Sequence, residues 1–248
     1  MSKLRISIIG MCSLLIMISH ANAEQTINVA TQNKQLEESK NPNEQIKTMI
    51  KEMISDNDKF MKTHDKSHFE PFIAHQSPRA TVVACADSRF HTHAIDQTPD
   101  NDIFFVRNIG NQLVTAEGSI EYGVEHLKTP LLMFIGHTAC GAIKAASSDY
   151  SALSFPIQME LDHLQISKKE NPTEDELKNN VILNVHNQVA KAMTKFKEHV
   201  QSGKLKIVGA VYDFQNKYGQ GYGKLVLINV NNDKDEIIIN NFKKEVIN

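Results

Sequence analysis

The apolar positions of the chain fall into two patterns, helical stripes and short unbroken runs. One stripe recurs at spacings of three and four and predicts an amphipathic helix from Asn43 to about Lys62. Elsewhere apolar runs rich in Val and Ile, each followed by polar residues, predict buried strands. These strands are expected at Ala80 to Ala84, Ile103 to Val106, Leu131 to Ile135 and Lys206 to Phe214.

Helical patterns separate the predicted strands. They cover Ala116 to Lys128, Ile157 to Lys169, Thr173 to Asn179 and Asn180 to Ser202, where Gly203 is typical of a C-cap. Two peripheral strands are predicted after them, Lys224 to Val230 and Glu236 to Ile239. Runs that are apolar on both faces and alternate with helices indicate a parallel sheet covered on both sides. The expected fold is therefore α/β, a central, mostly parallel β-sheet flanked by helices, with an N-terminal helical arm and peripheral C-terminal strands.

The amino terminus has the pattern of a secretory signal peptide. Lys3 and Arg5 precede an uncharged apolar run from Ile6 to Ile18, and Ala21-Asn22-Ala23 provides the small residues of a cleavage site. The apolar run is shorter than the roughly 20 residues that a membrane-spanning helix needs. We expect residues 1–23 to be a signal peptide cleaved after Ala23, with export to the periplasm and no membrane contact afterwards. An uncleaved anchor or a buried helix is the alternative.

Composition narrows the function classes. The chain has 248 residues, 27 Lys and Arg against 29 Asp and Glu, and a formal net charge of −2. This is ordinary globular composition, which excludes a collagen-like, disulfide-rich or wholly disordered chain. No basic excess points to a nucleic-acid partner. Residues 24–42 are polar without an apolar period and are expected to be a flexible linker, and residues 43–248 are expected to be one domain.

Residues with metal-binding and catalytic chemistry follow two of the predicted strands. Cys85, Asp87 and Arg89 are spaced i, i+2, i+4, so they project to the same side if the backbone stays extended. His137 and Cys140 are spaced i, i+3, which places them on one face of a helical turn. Ligands of open α/β sheets bind outside the carboxyl ends of the strands, where both groups are expected.

Two thiolates and one imidazole are the protein ligands of a type of catalytic zinc site that leaves its fourth position open. Asp87 could complete this set or stand beside it, held by a bidentate pair with Arg89. Cys12 would leave with the signal peptide, so Cys85 and Cys140 would be the thiols of the mature chain. A disulfide between them is the alternative to metal binding.

Four sequence blocks, in this order, resemble the signature of the β-class carbonic anhydrases. They are Cys85-Ala86-Asp87-Ser88-Arg89, Phe104-Phe105-Val106-Arg107-Asn108-Ile109-Gly110-Asn111, Ser119-Ile120-Glu121-Tyr122 and Gly136-His137-Thr138-Ala139-Cys140-Gly141. The resemblance extends from about Asn43 to Val230. It implies a zinc enzyme, with one Zn²⁺ per subunit, that reversibly hydrates carbon dioxide to bicarbonate and a proton.

The same resemblance implies a role for each site residue. Cys85, His137 and Cys140 would bind zinc, and Asp87 would either ligate the metal or pair with Arg89 and orient a zinc-bound hydroxide. The expected substrate-binding residues are Gln76, a donor to bicarbonate, Gly141, whose amide would face the reacting oxygen, and the apolar pocket residues Phe104, Ile109 and Tyr122.

Because part of that pocket would come from a neighbouring subunit, the resemblance also implies a homodimer or a higher homo-oligomer. Two alternatives stay open. One is hydrolysis of a carbon dioxide analogue, such as carbon disulfide or carbonyl sulfide, on the same fold. The other is a non-catalytic zinc-binding assembly protein.

Overall fold

A computed structural model describes residues 41–247 of the chain. The predicted signal peptide and nearly all of the predicted linker therefore lie outside the described residues. Within the described part, no helix is both long enough and apolar enough to cross a membrane. The described residues divide into two compact units, residues 41–71 and residues 72–247.

The described part of the first unit is helical. Helix α1 spans Pro42–Thr63 and α2 spans Lys66–Phe69. The side chain of Asn41 caps α1 by accepting a hydrogen bond from the Asn43 amide at 3.0 Å, and Pro42 occupies the first helical position, where a missing amide proton costs little. The predicted N-terminal helix is confirmed. Its apolar stripe is exposed, with Met53 72 % accessible.

The second unit is built on a five-stranded sheet in the order β2-β1-β3-β4-β5. Its strands are β1 (Ala80–Cys85), β2 (Ile103–Asn108), β3 (Leu131–His137), β4 (Lys206–Asp213) and β5 (Lys224–Val230). The first four strands run parallel and β5 is antiparallel to β4. This arrangement confirms the expected α/β fold.

Short helices connect the strands. Two 3₁₀ turns lie at Thr92–Ala94 and Val114–Ala116, and α3 (Glu117–Glu121) continues into a π-helical turn at Tyr122–His126. They are followed by α4 (Gly141–Ala146), α5 (Phe155–Asp162), α6 (Glu174–Lys195), α7 (Lys197–Gln201) and α8 (Glu236–Ile247). The predicted helix break at Asn179 and Asn180 is wrong because α6 runs through it, and the helix expected to reach Lys169 ends at Asp162.

The strand expected at Glu236 to Ile239 is also wrong, since these residues open helix α8. Three consecutive β-branched residues, Ile237 to Ile239, favour a strand on propensity alone. Asp235 decides the outcome locally, because its carboxylate accepts a hydrogen bond from the Ile237 amide at 2.7 Å and its carbonyl accepts one from the Ile239 amide. Such capping starts a helix, and the fold then buries Ile239 while Ile237 stays exposed.

Helix α6 packs along the central strands β3 and β4. Thr173 and Glu176 form a capping box at its start. Its buried face carries Val181, Val185 and Val189, which pack against β3 and β4. Side chains alternate along β1, so Val83 and Cys85 lie on one face of the sheet while Val82 and Ala84 pack in a separate cluster with Phe90. Cys85 thereby joins the cluster that contains Val181 and Val185.

Candidate metal centre

The gap between two strand ends forms the site. The ladder between β1 and β3 has its last pair at Ala84 and Ile135, and the two strands are no longer paired beyond it. Cys85 and His137 are the final residues of these strands, and Cys140 is the N-cap residue of α4. One ligand atom from each of the three side chains lies within 4.8 Å of the other two, and all three residues are buried.

The spacing of the sulfur atoms fits a shared metal ion. The Sγ atoms of Cys85 and Cys140 are 4.0 Å apart. Two thiolates bound to one tetrahedral zinc ion at about 2.3 Å would be separated by about 3.8 Å, whereas disulfide sulfurs lie about 2.05 Å apart. Both cysteines are free thiols. The disulfide alternative is therefore not what the structure contains.

His137 presents one ring nitrogen to the site. Its Nδ1 lies 3.0 Å from the carbonyl oxygen of Thr138, so Nδ1 carries the proton and donates it. Nε2 is then the unprotonated nitrogen, and within the described residues it is buried without a hydrogen-bond partner. A buried acceptor left unpaired is costly unless something binds it. A metal ion between the two sulfurs would satisfy it, and this hydrogen bond is of the kind that commonly fixes a metal-binding imidazole.

The two thiols differ in acidity. The contact with the Cys140 thiol, whose sulfur lies 4.0 Å away, is the largest cause that lowers the pKa of Cys85, to about 4, and the Gly110 amide adds to it. The same contact, together with burial, raises the pKa of Cys140. The site therefore carries one anionic sulfur readily, while the second thiol needs a cation to ionise. Such a donor set suits zinc.

Asp87 and Arg89 form a bidentate pair at the edge of the three ligands. Arg89 donates from Nε to Oδ1 of Asp87 at 2.8 Å and from Nη2 to Oδ2 at 2.7 Å. Oδ2 lies 3.8 Å from Nε2 of His137. The hydrogen bond from Arg89 holds the pKa of Asp87 well below its usual range, so this carboxylate is ionised at neutral pH.

The backbone geometry behind these contacts differs from the expectation. The chain bends after Cys85, and the Phe90 amide donates to the carbonyl of Asp87, so Asp87 and Arg89 meet across a turn rather than along an extended strand. His137 and Cys140 are likewise joined by a tight turn, in which Ala139 has φ +56°, rather than by a helical turn. The spacing predicted the meeting of these side chains correctly, for a different geometric reason.

Arg107 also supports the site, although the sequence pattern did not single it out. This residue of β2 donates from Nε to the carbonyl of Cys85 at 3.2 Å and from Nη2 to the carbonyl of Asp87. It thus fixes the backbone of the turn that carries both side chains. An arginine among the apolar residues of β2 was the available signal, because a half-buried cation needs partners.

The expected substrate-binding residues fall into separate places. The rings of Phe104 and Tyr122 are 5.8 Å apart, and Ile109 packs against the cluster that holds both cysteines. Gly141 is the first residue of α4, and a Cβ atom placed on it would meet nothing within 4 Å. Gln76 is exposed before β1 and makes no hydrogen bond with the three ligands among the described residues.

Known proteins are similar to this chain in sequence. The family model for carbonic anhydrase matches residues 80–220. Carbonic anhydrase 2 of Mycobacterium tuberculosis is 30% identical over 161 residues, which cover 60% of this chain and 76% of that protein. A carbonic anhydrase of Pseudomonas aeruginosa is 26% identical over 165 residues, covering 60% and 74%.

Solved structures match the fold. Tetrameric β-carbonic anhydrases from Sordaria macrospora align with a TM-score of 0.60 at 24% identity, over 73% of this chain and 97% of that chain. The Coccomyxa β-carbonic anhydrase in complex with acetazolamide aligns with a TM-score of 0.60 at 23% identity, over 71% and 84%. The family match covers the whole Cys85, His137 and Cys140 cluster, and the chain belongs to the β-class carbonic anhydrase family.

Proposed function

We propose that this chain catalyses the zinc-dependent, reversible hydration of carbon dioxide to bicarbonate and a proton. The observation that carries the proposal is the convergence of the Cys85, His137 and Cys140 donor atoms within 4.8 Å, beside an ionised Asp87. Membership of the carbonic anhydrase family supports the choice of reaction.

The three buried donors would hold the metal and leave one coordination position open. When bound there, zinc acts as a Lewis acid that lowers the pKa of a water molecule in that position. Two thiolates donate more negative charge than neutral imidazoles, which weakens this acidification. The chain's own hydrogen-bond acceptor therefore has a larger part in preparing the water for attack.

Asp87 supplies that acceptor. Arg89 donates a hydrogen bond to each carboxylate oxygen of Asp87, and Oδ2 of Asp87 also lies 3.8 Å from Nε2 of His137. Asp87 accepts a hydrogen bond from the attacking water and turns the oxygen lone pair toward the carbon of the substrate. Since Arg89 keeps the carboxylate ionised and in one rotamer, Asp87 performs this task without protonating at neutral pH.

Apolar side chains would hold the carbon dioxide. We assign Phe104, Tyr122 and Ile109 to this pocket and assign hydrogen-bond donation to bicarbonate to Gln76 and the amide of Gly141. A small apolar substrate held beside the attacking oxygen gains from proximity. Tyr122 is 44 % exposed, which is consistent with a pocket that a second subunit completes.

We also propose a homodimer or a higher homo-oligomer. The apolar stripe of α1, from Ile46 to Met61, is exposed and provides an apolar face that a second copy would cover. The tetrameric relatives from Sordaria macrospora have the same fold. Sedimentation of the zinc-loaded chain tests this proposal, and an active monomer would refute it.

Stopped-flow hydration of carbon dioxide by the chain from Glu24 onward, at measured zinc content, tests the proposed reaction. Activity should track bound zinc. Asp87→Ala should reduce turnover sharply while zinc stays bound through the other three residues. Asp102→Ala is the matched control, because Asp102 pairs with Arg79 in the same bidentate way at the opposite end of β1. A zinc-loaded protein that turns over carbon disulfide but not carbon dioxide would contradict the proposed substrate.

Export is a further part of the proposal. The basic residues Lys3 and Arg5, the apolar run and Ala21-Asn22-Ala23 support cleavage after Ala23 and delivery to the periplasm. Cell fractionation with mass spectrometry of the purified chain tests it. A periplasmic protein that begins at Glu24 is expected, and an intact chain from Met1 in the cytoplasmic fraction would contradict it.

A further inference from the structure

Arg89 makes a contact that its pairing with Asp87 does not require. Its Nη2 atom also donates to the carbonyl oxygen of Ala139 at 3.1 Å. Asp87 follows β1 and Ala139 follows β3, and the ladder between these strands has already ended at Ala84 and Ile135. Arg89 therefore connects, through hydrogen bonds, the two segments that follow β1 and β3. This connection lies beyond the last residue pair of the ladder, close to Cys85, His137 and Cys140.

Ala139 sits in a strained conformation. Its φ of +56° lies in the left-handed region, which alanine adopts at a cost because of its Cβ atom. Most other non-glycine residues with positive φ in the described chain are asparagines, whose side chains tolerate this region. Such strain persists only where surrounding contacts hold it. The residue separates His137 from Cys140, so its conformation sets how these two ligands face each other.

The guanidinium group of Arg89 is itself held in place. It lies 4.7 Å above the ring of Phe214, and that ring meets the His137 imidazole edge-on with centroids 5.4 Å apart. Both oxygens of Asp87 also accept hydrogen bonds from this group. A planar, multiply bound guanidinium is a rigid donor, and lysine cannot reproduce its geometry.

We propose that Arg89 is a positioning residue for the metal ligands, because its hydrogen bond to the Ala139 carbonyl holds the strained turn that aligns His137 and Cys140 with Cys85. This inference rests on the metal site of the proposed function. It assigns Arg89 a task that is separate from orienting Asp87. It also requires that the effect of Arg89 depend on the strain at Ala139.

A double-mutant cycle on Arg89→Lys and Ala139→Gly tests the inference. Lysine keeps the positive charge near the two thiolates, so the electrostatic field at the metal changes little. Glycine adopts positive φ without strain, so the turn no longer needs an external hold. The measured quantity is the rate at which the zinc-loaded full chain loses its metal to an excess of chelator, which does not involve turnover.

With Ala139 present, Arg89→Lys should speed metal loss about tenfold, the lower end of the range for residues that orient metal ligands. In the Ala139→Gly background the same change should speed it less than about threefold. The cobalt-substituted protein gives a second readout, because Arg89→Lys should shift its thiolate-to-cobalt charge-transfer bands only when Ala139 is present. Arg79→Lys, in the Arg79–Asp102 pair, should change neither readout.

Equal acceleration in both backgrounds, or unchanged metal loss in Arg89→Lys, would overturn the inference. Arg89→Gln provides a second variant if the lysine variant loses its circular dichroism spectrum, and the same coupling to Ala139→Gly is expected. An unaltered chain that fails to bind zinc would refute the proposed function instead. A chain that binds zinc firmly but shows an additive cycle would refute only the positioning role.

Discussion

Adding one methyl group to Gly209 should destabilise the fold because helix α6 lies too close to the sheet at this point. A Cβ atom there would lie 2.7 Å from Cγ1 of Val185 and 3.1 Å from both Cγ2 of Val189 and Cβ of Asn229. Carbon atoms in good contact are about 3.5–4.0 Å apart. Valine in a helix has one strongly preferred rotamer, so neither valine can turn away. We expect Gly209→Ala to cost about 2–3 kcal/mol, the upper part of the overpacking range.

Urea unfolding of the zinc-saturated protein measures this cost. With a slope of about 2 kcal/mol per molar urea, the midpoint should fall by about 1 M. Val185→Ala should itself destabilise by about 2 kcal/mol, yet the double variant should lose about 1–2 kcal/mol less than the two single losses combined, because the new methyl group fills the vacated space. Gly118→Ala is the control. A Cβ atom there meets nothing within 4 Å and the position is helical, so this change should be neutral or stabilising by up to about 1 kcal/mol. A Gly209→Ala midpoint equal to that of the unaltered chain would refute the packing argument.

The remaining predictions concern one helix cap and one histidine. Thr173→Ala should lower the free energy of unfolding by about 1 kcal/mol, seen as a lower urea midpoint, because the capping box with Glu176 is lost. Burial, with a smaller effect of Lys234, lowers the pKa of His186 to about 4. The unfolded chain then binds the proton first as the pH falls, so stability should decrease from about pH 6.5 to about pH 4 and lose about 1–2 kcal/mol, allowing for partial exposure. The variant His186→Gln keeps a side chain that can form a hydrogen bond with Asn229. As the pH falls over this interval, its urea midpoint should rise relative to that of the unaltered chain. A constant difference between the two midpoints would contradict the role of His186.

Strand prediction succeeded where burial on both faces made the pattern simple. The central strands β1 and β3 are unbroken apolar runs, and the predicted bounds differ from the observed ones only at the carboxyl ends. Helix α6 was harder to predict as one helix, because asparagine has a low helix propensity and Asn180 therefore suggested a break. In the fold its side chain donates to Ser147 and to the carbonyl of Ser167, and it accepts from the Ser167 amide. These partners lie far from it in sequence, so no local pattern reveals that a buried asparagine is satisfied within a helix.

The candidate metal-binding cluster was predictable because the chain has only three cysteines, two of which follow predicted strands, whereas its 11 histidines alone would not point to a site. The contacts that hold the three residues of this cluster in place were not predictable, since they join different strands and loops. Arg107 reaches from β2 to the backbone of the Cys85 turn, and Arg89 reaches the carbonyl of Ala139 after β3. Backbone carbonyls leave no sequence signature. The role of Gln76, which is exposed before β1, stays a prediction.

Helix α6 connects the stability of the fold to the shape of the site. Asn184 donates to the Gly110 carbonyl at 2.9 Å, and Gln188 accepts from the Leu113 amide at 2.9 Å, so one buried face of the helix holds the loop after β2. The amide of Gly110 in turn helps to lower the pKa of the Cys85 thiol. On the same helix Val185 presses against Gly136, the residue before His137. Gly136→Ala should therefore cost about as much stability as Gly209→Ala, since its Cβ atom would also lie 2.7 Å from Val185. Only Gly136→Ala should also weaken zinc binding, because it displaces a ligand-bearing strand end, and equal zinc affinity in the two variants would show that α6 supports the fold without shaping the site.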